Sequence, residues 1–226
     1  MRKKKEILVE FHNWKSHYSL FSIILGVLTK KYNSSCVGYR VFNEDLCEKF
    51  FFFKFIENLK FYLGNFLKIK TFKNYQLFGV SKILKPNILK IHREKAKKFL
   101  NNLYKKKNIT NNEICDLKIN NIYIGDILYD SVLRSGNLFT IDIYSSLFKN
   151  KFIKFLSLFF FWQDYFRLKD VKAVIACHDT YLSAIPLRIA SMSGIKAIVV
   201  EAERIWQLNK KNLHTHKENN SYDKIF

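Results

Sequence analysis

The chain has 226 residues, which suffice for one α/β domain or one half of a two-domain enzyme and leave no room for a second complete domain. Its formal net charge of +20 comes from lysines scattered over nearly every segment. Because no RNA-binding motif accompanies them, nucleic acid is not an expected partner. The four cysteines form no CxxC pair, and His214 and His216 stand in a charged tail without further ligands nearby. We therefore expect no disulfide frame, metal site or cofactor.

The first residues, Met1 to Lys5, are basic like the start of a signal peptide, but Glu6 and Glu10 interrupt the apolar region that secretion requires. The apolar stretches 20–28 and 155–162 are shorter than the roughly 20 residues of a membrane-spanning helix. The sequence therefore predicts a cytoplasmic protein, either soluble or peripheral at the inner face of the membrane.

The predicted elements begin with a strand over 7–9, a helix capped by Ser16 and a strand over 35–41. This order is the opening unit of a Rossmann-like domain, a parallel sheet flanked by helices. The first turn lacks GxGxxG, and the chain lacks GxxxxGK[ST]. A dinucleotide oxidoreductase and a P-loop NTPase are therefore disfavoured.

The middle of the chain is predicted to be mainly helical. We expect a single Rossmann-like domain over 1–208 with a helical insertion at about 44–166, followed by a flexible basic tail over 209–226. Within the insertion, residues 141–166 form an aromatic helix that carries several lysines. This helix could lie on a membrane, but the core interpretation is favoured because the strands need apolar cover.

Two continuous apolar runs follow, 171–176 and 195–200, joined by a helix that Gly194 ends. Runs that are apolar at every position are typical of parallel strands buried on both faces. Ligands of such sheets bind beyond the carboxyl ends of the strands, so candidate site residues are expected there.

His178 follows the first of these strands, in a polar loop with Asp179 and Tyr181. Cys177 and His178 are adjacent on an extended chain, so their side chains are predicted to point to opposite faces, which excludes a direct Cys–His nucleophilic dyad. His178 can still act as a general base toward a hydroxyl. The alternative is a packed, hydrogen-bonded histidine without a catalytic role.

Asp126, Asp130 and Arg134 are spaced four residues apart, so their charges share one helical face. A structural interpretation has Asp126 capping the helix and Asp130 paired with Arg134. A functional interpretation has the three residues holding sugar hydroxyls or a phosphate.

Glu201, Glu203 and Arg204 follow the last predicted strand. Two carboxylates and a guanidinium at a strand end can bind a substrate. They can equally form a solvated linker or contact a partner.

Several segments resemble a family of bacterial surface carbohydrate and capsule biosynthesis proteins related to glycosyltransferases of the GT-B architecture. The segments are IYIGDILYDSVLRSG at 122–136, TIDIY at 140–144, VIACHDTYLSAIPLRIASMSGIKAIVVEAERIWQL at 174–208, and the first strand with EFHNW. The resemblance covers most of residues 6–208.

The resemblance implies the N-terminal domain of a GT-B glycosyltransferase, which handles the acceptor, while a C-terminal domain holds the nucleotide-sugar. The expected partners are a polysaccharide or lipid-linked sugar acceptor, and a nucleotide-sugar only where a second domain is supplied. The chain is then expected to bind an acceptor without turnover. A second hypothesis is a non-catalytic peripheral protein that docks on anionic lipid or a partner through Lys149, Lys151 and Lys154.

The resemblance further implies site residues. His178 would deprotonate the acceptor hydroxyl, with Asp179 or Glu201 orienting it. The predicted substrate-binding residues are Asp126, Tyr129, Asp130, Arg134, Tyr181, Arg188, Glu201, Glu203 and Arg204.

Overall fold

The computed structural model describes residues 4–11, 16–40, 46, 59, 63, 70–106, 108–201 and 204–213. Within them the chain forms a six-stranded, mostly parallel sheet flanked by helices, a Rossmann-like α/β arrangement. The strands are β1 Lys5–Glu10, β2 Ser35–Tyr39, β3 Val80–Leu84, β4 Lys118–Ile119, β5 Ile122–Tyr123, β6 Asp170–Ala176, β7 Lys196–Val200 and β8 Ile205–Leu208. The helices are α1 Ser16–Tyr32, α2 Lys70–Leu77, α3 Lys90–Leu103, α4 Asn111–Cys115, α5 Gly125–Gly136, α6 Ser146–Leu168 and α7 Ala184–Met192.

The main sheet has the strand order β3-β2-β1-β6-β7-β8. Neighbouring strands are parallel from β3 to β7, whereas β8 runs antiparallel to β7. In the centre of the sheet, Leu8 of β1 lies opposite Val37 of β2 and Val174 of β6. The strands β4 and β5 form a separate antiparallel hairpin.

Both faces of the sheet are covered, which explains the continuous apolar strands. Leu8 and Val174 pack on one face against α3, α5, α6 and α7. Ile7 and Val9 point to the opposite face, where they pack with α1 and α2. Because successive side chains of a strand alternate between faces, two apolar layers require an apolar residue at every position.

The predicted strands at 7–9, 35–41, 171–176 and 195–200 are confirmed, each with a shift of no more than two residues at its ends. The predicted helical insertion at 44–166 is not helical throughout, because it contains β3 and the β4–β5 hairpin. Most of 44–69 and the tail after 213 lie outside the described residues. The division into one domain and a tail therefore stays a prediction.

The aromatic helix α6 is a core helix, as the favoured interpretation predicted. Phe155, Phe159 and Trp162 are fully buried against the sheet and its neighbours. Lys151 is buried as well, and its ammonium donates to the Ser135 hydroxyl at 3.0 Å. None of the helices in the described part of the chain has the length and hydropathy of a membrane-spanning segment. Association with a membrane surface stays a prediction.

Two glycines provide a matched test of backbone conformation. Gly26 lies inside α1 and Gly194 follows α7 with φ +73°, and a Cβ at either position would meet no atom within 4 Å. We expect Gly26→Ala to raise the free energy of unfolding by about 0.5–1 kcal/mol, because alanine is the better helix former. Gly194→Ala is expected to lower it by about 1 kcal/mol, because a side chain strains the left-handed conformation. Urea denaturation measures both, and shifts of the same sign would contradict the expectation.

Candidate functional site

The sheet changes direction between β1 and β6. The strands β2 and β3 follow β1 toward one edge of the sheet, and the strands β7 and β8 follow β6 toward the other edge. In open α/β sheets this switch point forms a crevice at the carboxyl ends of the two central strands, where ligands bind. Glu10 ends β1, and Cys177 and His178 directly follow β6, so all three residues lie at the switch point.

The three side chains form a compact cluster. The Glu10 carboxylate accepts hydrogen bonds from the Cys177 backbone N–H at 2.9 Å and from the Cys177 thiol at 3.1 Å. The Cys177 Sγ lies 2.7 Å from the His178 Nδ1, and the same Nδ1 lies 3.9 Å from Glu10 Oε2. The Tyr75 hydroxyl donates to the backbone carbonyl of Glu10 at 2.8 Å. The Cys177 thiol therefore lies between the imidazole of His178 and the carboxylate of Glu10. Hydrogen bonds hold Glu10 in place at both its backbone and its side chain.

This geometry corrects the prediction that Cys177 and His178 point to opposite faces. The prediction assumed an extended strand through both residues, but β6 ends at Ala176 and the chain bends at Cys177. Beyond the strand the alternation of side chains no longer applies. A contact between the sulfur and the imidazole is therefore present.

The charges of the cluster are coupled. Burial raises the pKa of Glu10, but hydrogen bonds and charge from His178, with hydrogen bonds from Cys177, lower the pKa on balance. The interaction with Glu10 raises the pKa of His178, although burial and the charge of Arg134 act in the opposite direction. An imidazolium and a carboxylate thus stabilise each other at the switch point.

The surroundings of Cys177 disfavour its thiolate form. Burial, followed by the charge and hydrogen bond of Glu10, strongly raises the pKa of its thiol. Since the thiolate is the reactive form, a protonated and buried thiol does not attack a substrate. The geometric argument against a Cys–His nucleophilic dyad is therefore wrong, and what disfavours a nucleophilic role for Cys177 is the raised pKa of its thiol.

The cluster also has a possible metal-ligand set. Glu10, Cys177 and His178 offer one oxygen, one sulfur and one nitrogen within 4.8 Å of one another. Such a mixed set could hold zinc if the thiol lost its proton. Hydrogen bonds within the cluster account for the observed distances without a metal.

The loop after His178 borders the cluster. Asp179 is buried, whereas the Tyr181 side chain is half-buried. Tyr181 has a left-handed backbone with φ +57°, which is uncommon for a residue with a side chain and stores strain. The guanidinium of Arg134 on α5 lies 4.5 Å from the centre of the Tyr181 ring. The structure thus brings Arg134 and Tyr181 next to His178.

Asp126 and Arg188 pair with each other. Two nitrogens of Arg188 donate to the two carboxylate oxygens of Asp126 at 3.3 and 2.8 Å, and Arg188 also donates to the Tyr123 carbonyl at 3.2 Å. Arg188 is 1% exposed. The cap residue of α5 is Ile124, so the prediction that Asp126 caps this helix is wrong. The pair joins α5 to α7, and its predicted contact with an acceptor stays untested.

The remaining predicted residues lie in two places. On α5, Tyr129 is half-buried against the core and Asp130 is exposed. Glu201 and Arg204 close the turn between β7 and β8, where the Glu201 N–H donates to the Arg204 carbonyl at 2.9 Å. Glu203 lies outside the described residues. The turn does not bring Glu201 into contact with His178 through any hydrogen bond or ion pair described for these residues.

Glu10 is the residue that sequence reasoning missed. It is an acidic residue at the end of a buried strand, the same signal that identified His178 and Glu201. Applied to β1, that rule would have found it. Glu10 contacts His178, a role that was predicted for Asp179 or Glu201, and the charge of Asp179 acts on the imidazole more weakly.

Comparisons with known proteins found no match to the chain among family models, curated proteins or solved structures. The resemblance to capsule biosynthesis proteins and to GT-B glycosyltransferases therefore stays a prediction. The sheet topology alone supports the Rossmann-like arrangement.

Proposed function

We propose that the switch point binds a hydroxyl-bearing substrate and that His178, paired with Glu10, accepts the hydroxyl proton. The single observation that carries this proposal is the His178–Glu10 pair at the carboxyl ends of the two central strands. The His178 side chain is 39% exposed, so a ligand can reach it, whereas the Glu10 side chain is only 11% exposed. A buried carboxylate behind an accessible imidazole is an arrangement suited to general base catalysis.

Nε2 of His178 is the nitrogen to which we assign the proton transfer, because Nδ1 is engaged by the Cys177 sulfur. As Nε2 gains a proton, the Glu10 carboxylate stabilises the resulting imidazolium. Arg134 and Tyr181 border the imidazole and offer a guanidinium and an aromatic ring to a sugar or another polyhydroxylated ligand. We therefore assign ligand contact to these two residues.

We further propose that the domain is the acceptor side of a glycosyltransferase of bacterial surface or capsular polysaccharide biosynthesis. This narrower proposal rests on the resemblance of the four segments given above. Its chemistry joins the acceptor oxygen to the anomeric carbon of a nucleotide-sugar, the nucleoside diphosphate leaves, and His178 takes the acceptor proton. The nucleotide-sugar would be held by a second domain.

Nuclear magnetic resonance of the imidazole protons tests sugar binding at His178. We titrate the protein with glucose, galactose, N-acetylglucosamine and their methyl glycosides. At least one of them is expected to shift the His178 resonances, and His178→Asn or Arg134→Ala is expected to weaken its binding about five- to tenfold. His92 is an internal control, since it is buried on α3 beside Asp164 at 3.3 Å.

Three results would contradict the proposals. If no sugar shifts the His178 resonances, or if the His178 and His92 resonances shift equally, the switch point does not bind the hydroxylated ligand proposed. Turnover of UDP-glucose by this chain alone, measured in a chelator so that adventitious metal is excluded, would contradict the acceptor-side assignment.

A further inference from the structure

A cavity of about 620 Å³ lies beside the switch point, on the same carboxyl side of the sheet. Its wall includes Lys85, which directly follows β3, and Leu182 of the loop after β6. The helices α3 and α6 provide the other walls. This volume is in the range of cavities that hold small organic ligands.

The charged residues described in the cavity wall are all basic. Lys85, Arg93, Lys97 and Lys154 line it, and none of the described residues in its wall is acidic. The described residues give no ion pair to Arg93, Lys97 or Lys154. Cations that line a concave site, as Arg93, Lys97 and Lys154 do, concentrate a positive potential that attracts anions.

The spacing along the helices directs these side chains into one place. Arg93 and Lys97 are four residues apart on α3, and Ile153 and Lys154 lie on the α6 face that packs toward it. Lys85 and Lys154 are half-buried, whereas Arg93 and Lys97 are exposed at the mouth. Apolar side chains, among them Ile153 and Leu182, complete the wall.

We propose that this cavity binds a ligand that carries a phosphate or diphosphate joined to an apolar group. The cations would hold the anion, because Lys and Arg donate charge-assisted hydrogen bonds to phosphate oxygens. The apolar wall would hold the attached group, since burial of apolar surface stabilises the complex. A nucleoside diphosphate and an alkyl diphosphate share this chemistry.

Binding of the anion does not depend on the chemistry proposed at His178. The inference that this anion is part of the acceptor does rest on that proposed function. If both hold, the shared carboxyl edge places a diphosphate-bearing acceptor with its anion in the cavity and its hydroxyl at His178.

Isothermal titration calorimetry with pyrophosphate, UDP and farnesyl diphosphate tests the cavity. Lys97→Glu is expected to weaken binding about tenfold, because it reverses one of the converging charges. Lys98→Glu is the matched control: it is exposed on the same helix, makes the same charge change and does not line the cavity. It is expected to change binding less than about twofold. His178→Asn is expected to leave pyrophosphate binding unchanged.

Each outcome decides one part of the inference. Tighter binding of farnesyl diphosphate than of pyrophosphate and UDP identifies an alkyl diphosphate, and tighter binding of UDP identifies a nucleoside diphosphate. Equal weakening by Lys97→Glu and Lys98→Glu would show that net charge alone attracts the anions, and it would overturn the proposal. No binding of any of the three probes at millimolar concentration would overturn it as well. If the protein binds a diphosphate but no sugar at His178, only the proposed function is overturned.

Discussion

Asp126→Ala is expected to lower the free energy of unfolding by about 3–5 kcal/mol, because it leaves the charge of Arg188 buried without its carboxylate. Arg188 is 1% exposed and donates through two nitrogens to Asp126. Its other described contacts, with the Tyr123 carbonyl at 3.2 Å and the Tyr123 ring at 5.6 Å, carry no net negative charge to balance the guanidinium. Urea denaturation followed by circular dichroism measures the loss.

Glu94→Ala is a matched control for the loss of a carboxylate. Glu94 pairs with Lys90 at 3.8 Å, but their side chains are 62% and 92% exposed, so solvent screens the pair. We expect a loss of no more than about 0.5 kcal/mol there. Equal losses for Asp126→Ala and Glu94→Ala would contradict a structural role of the buried pair.

The double variant Asp126→Leu with Arg188→Met distinguishes a structural role of this ion pair from a role in binding the acceptor. Because it removes both charges together, it is expected to be less destabilised than Asp126→Ala. A stable double variant that still binds sugar would show that Asp126 and Arg188 support α5 and α7 rather than contact the acceptor. Loss of binding without loss of stability would instead support the acceptor contact predicted from the sequence.

The central strands could be predicted from the sequence because both of their faces are buried. Val174 and Ile175 point to opposite layers, and both are apolar. The edge strands lack this signal. Ser81 and Lys82 of β3 and Ile205 and Gln207 of β8 are exposed, so their polar residues interrupt the apolar run. Their place in the sheet depends on pairing with a neighbour, which a local pattern does not encode.

The position of His178 at a strand end could also be predicted, but its chemical environment could not. Glu10 reaches Cys177 across 167 positions of the chain, and only the parallel pairing of β1 with β6 brings them together. The contact between Cys177 and His178 depended on where β6 ends. Because β6 ends at Ala176, the alternation of side chains does not extend to Cys177 and His178.

Glu10→Gln is expected to lower the pKa of His178 toward its ordinary value of 6.5, because the carboxylate is the main cause that raises it. Asp179→Asn is the matched control. Asp179 raises the pKa of His178 through its charge, and this is the smallest of the causes, so a smaller decrease is expected. The two variants therefore show which carboxylate has the larger effect on the pKa of the imidazole. Titration of the His178 imidazole resonances by nuclear magnetic resonance measures both.

The same pair makes stability depend on pH in a defined window. Because the pKa of His178 is raised, its contribution is complete below 6.5 and is lost as the pH rises through the raised value. Because the pKa of Glu10 is lowered, its contribution is complete above 4.5 and is lost as the pH falls through the lowered value. The mutual stabilisation is therefore greatest between pH 4.5 and 6.5.

Glu10→Gln is accordingly expected to lower the free energy of unfolding by about 2 kcal/mol at pH 5.5. The amide still accepts from the Cys177 N–H but cannot balance an imidazolium, and the partial exposure of His178 limits the loss. Above the raised pKa of His178 the imidazole is neutral, so the difference between wild type and variant should shrink. Denaturation at pH 5.5 and pH 9 measures it. A difference independent of pH would mean that Glu10 supports only the backbone of Cys177, and the proposed base at His178 would lose its charged partner.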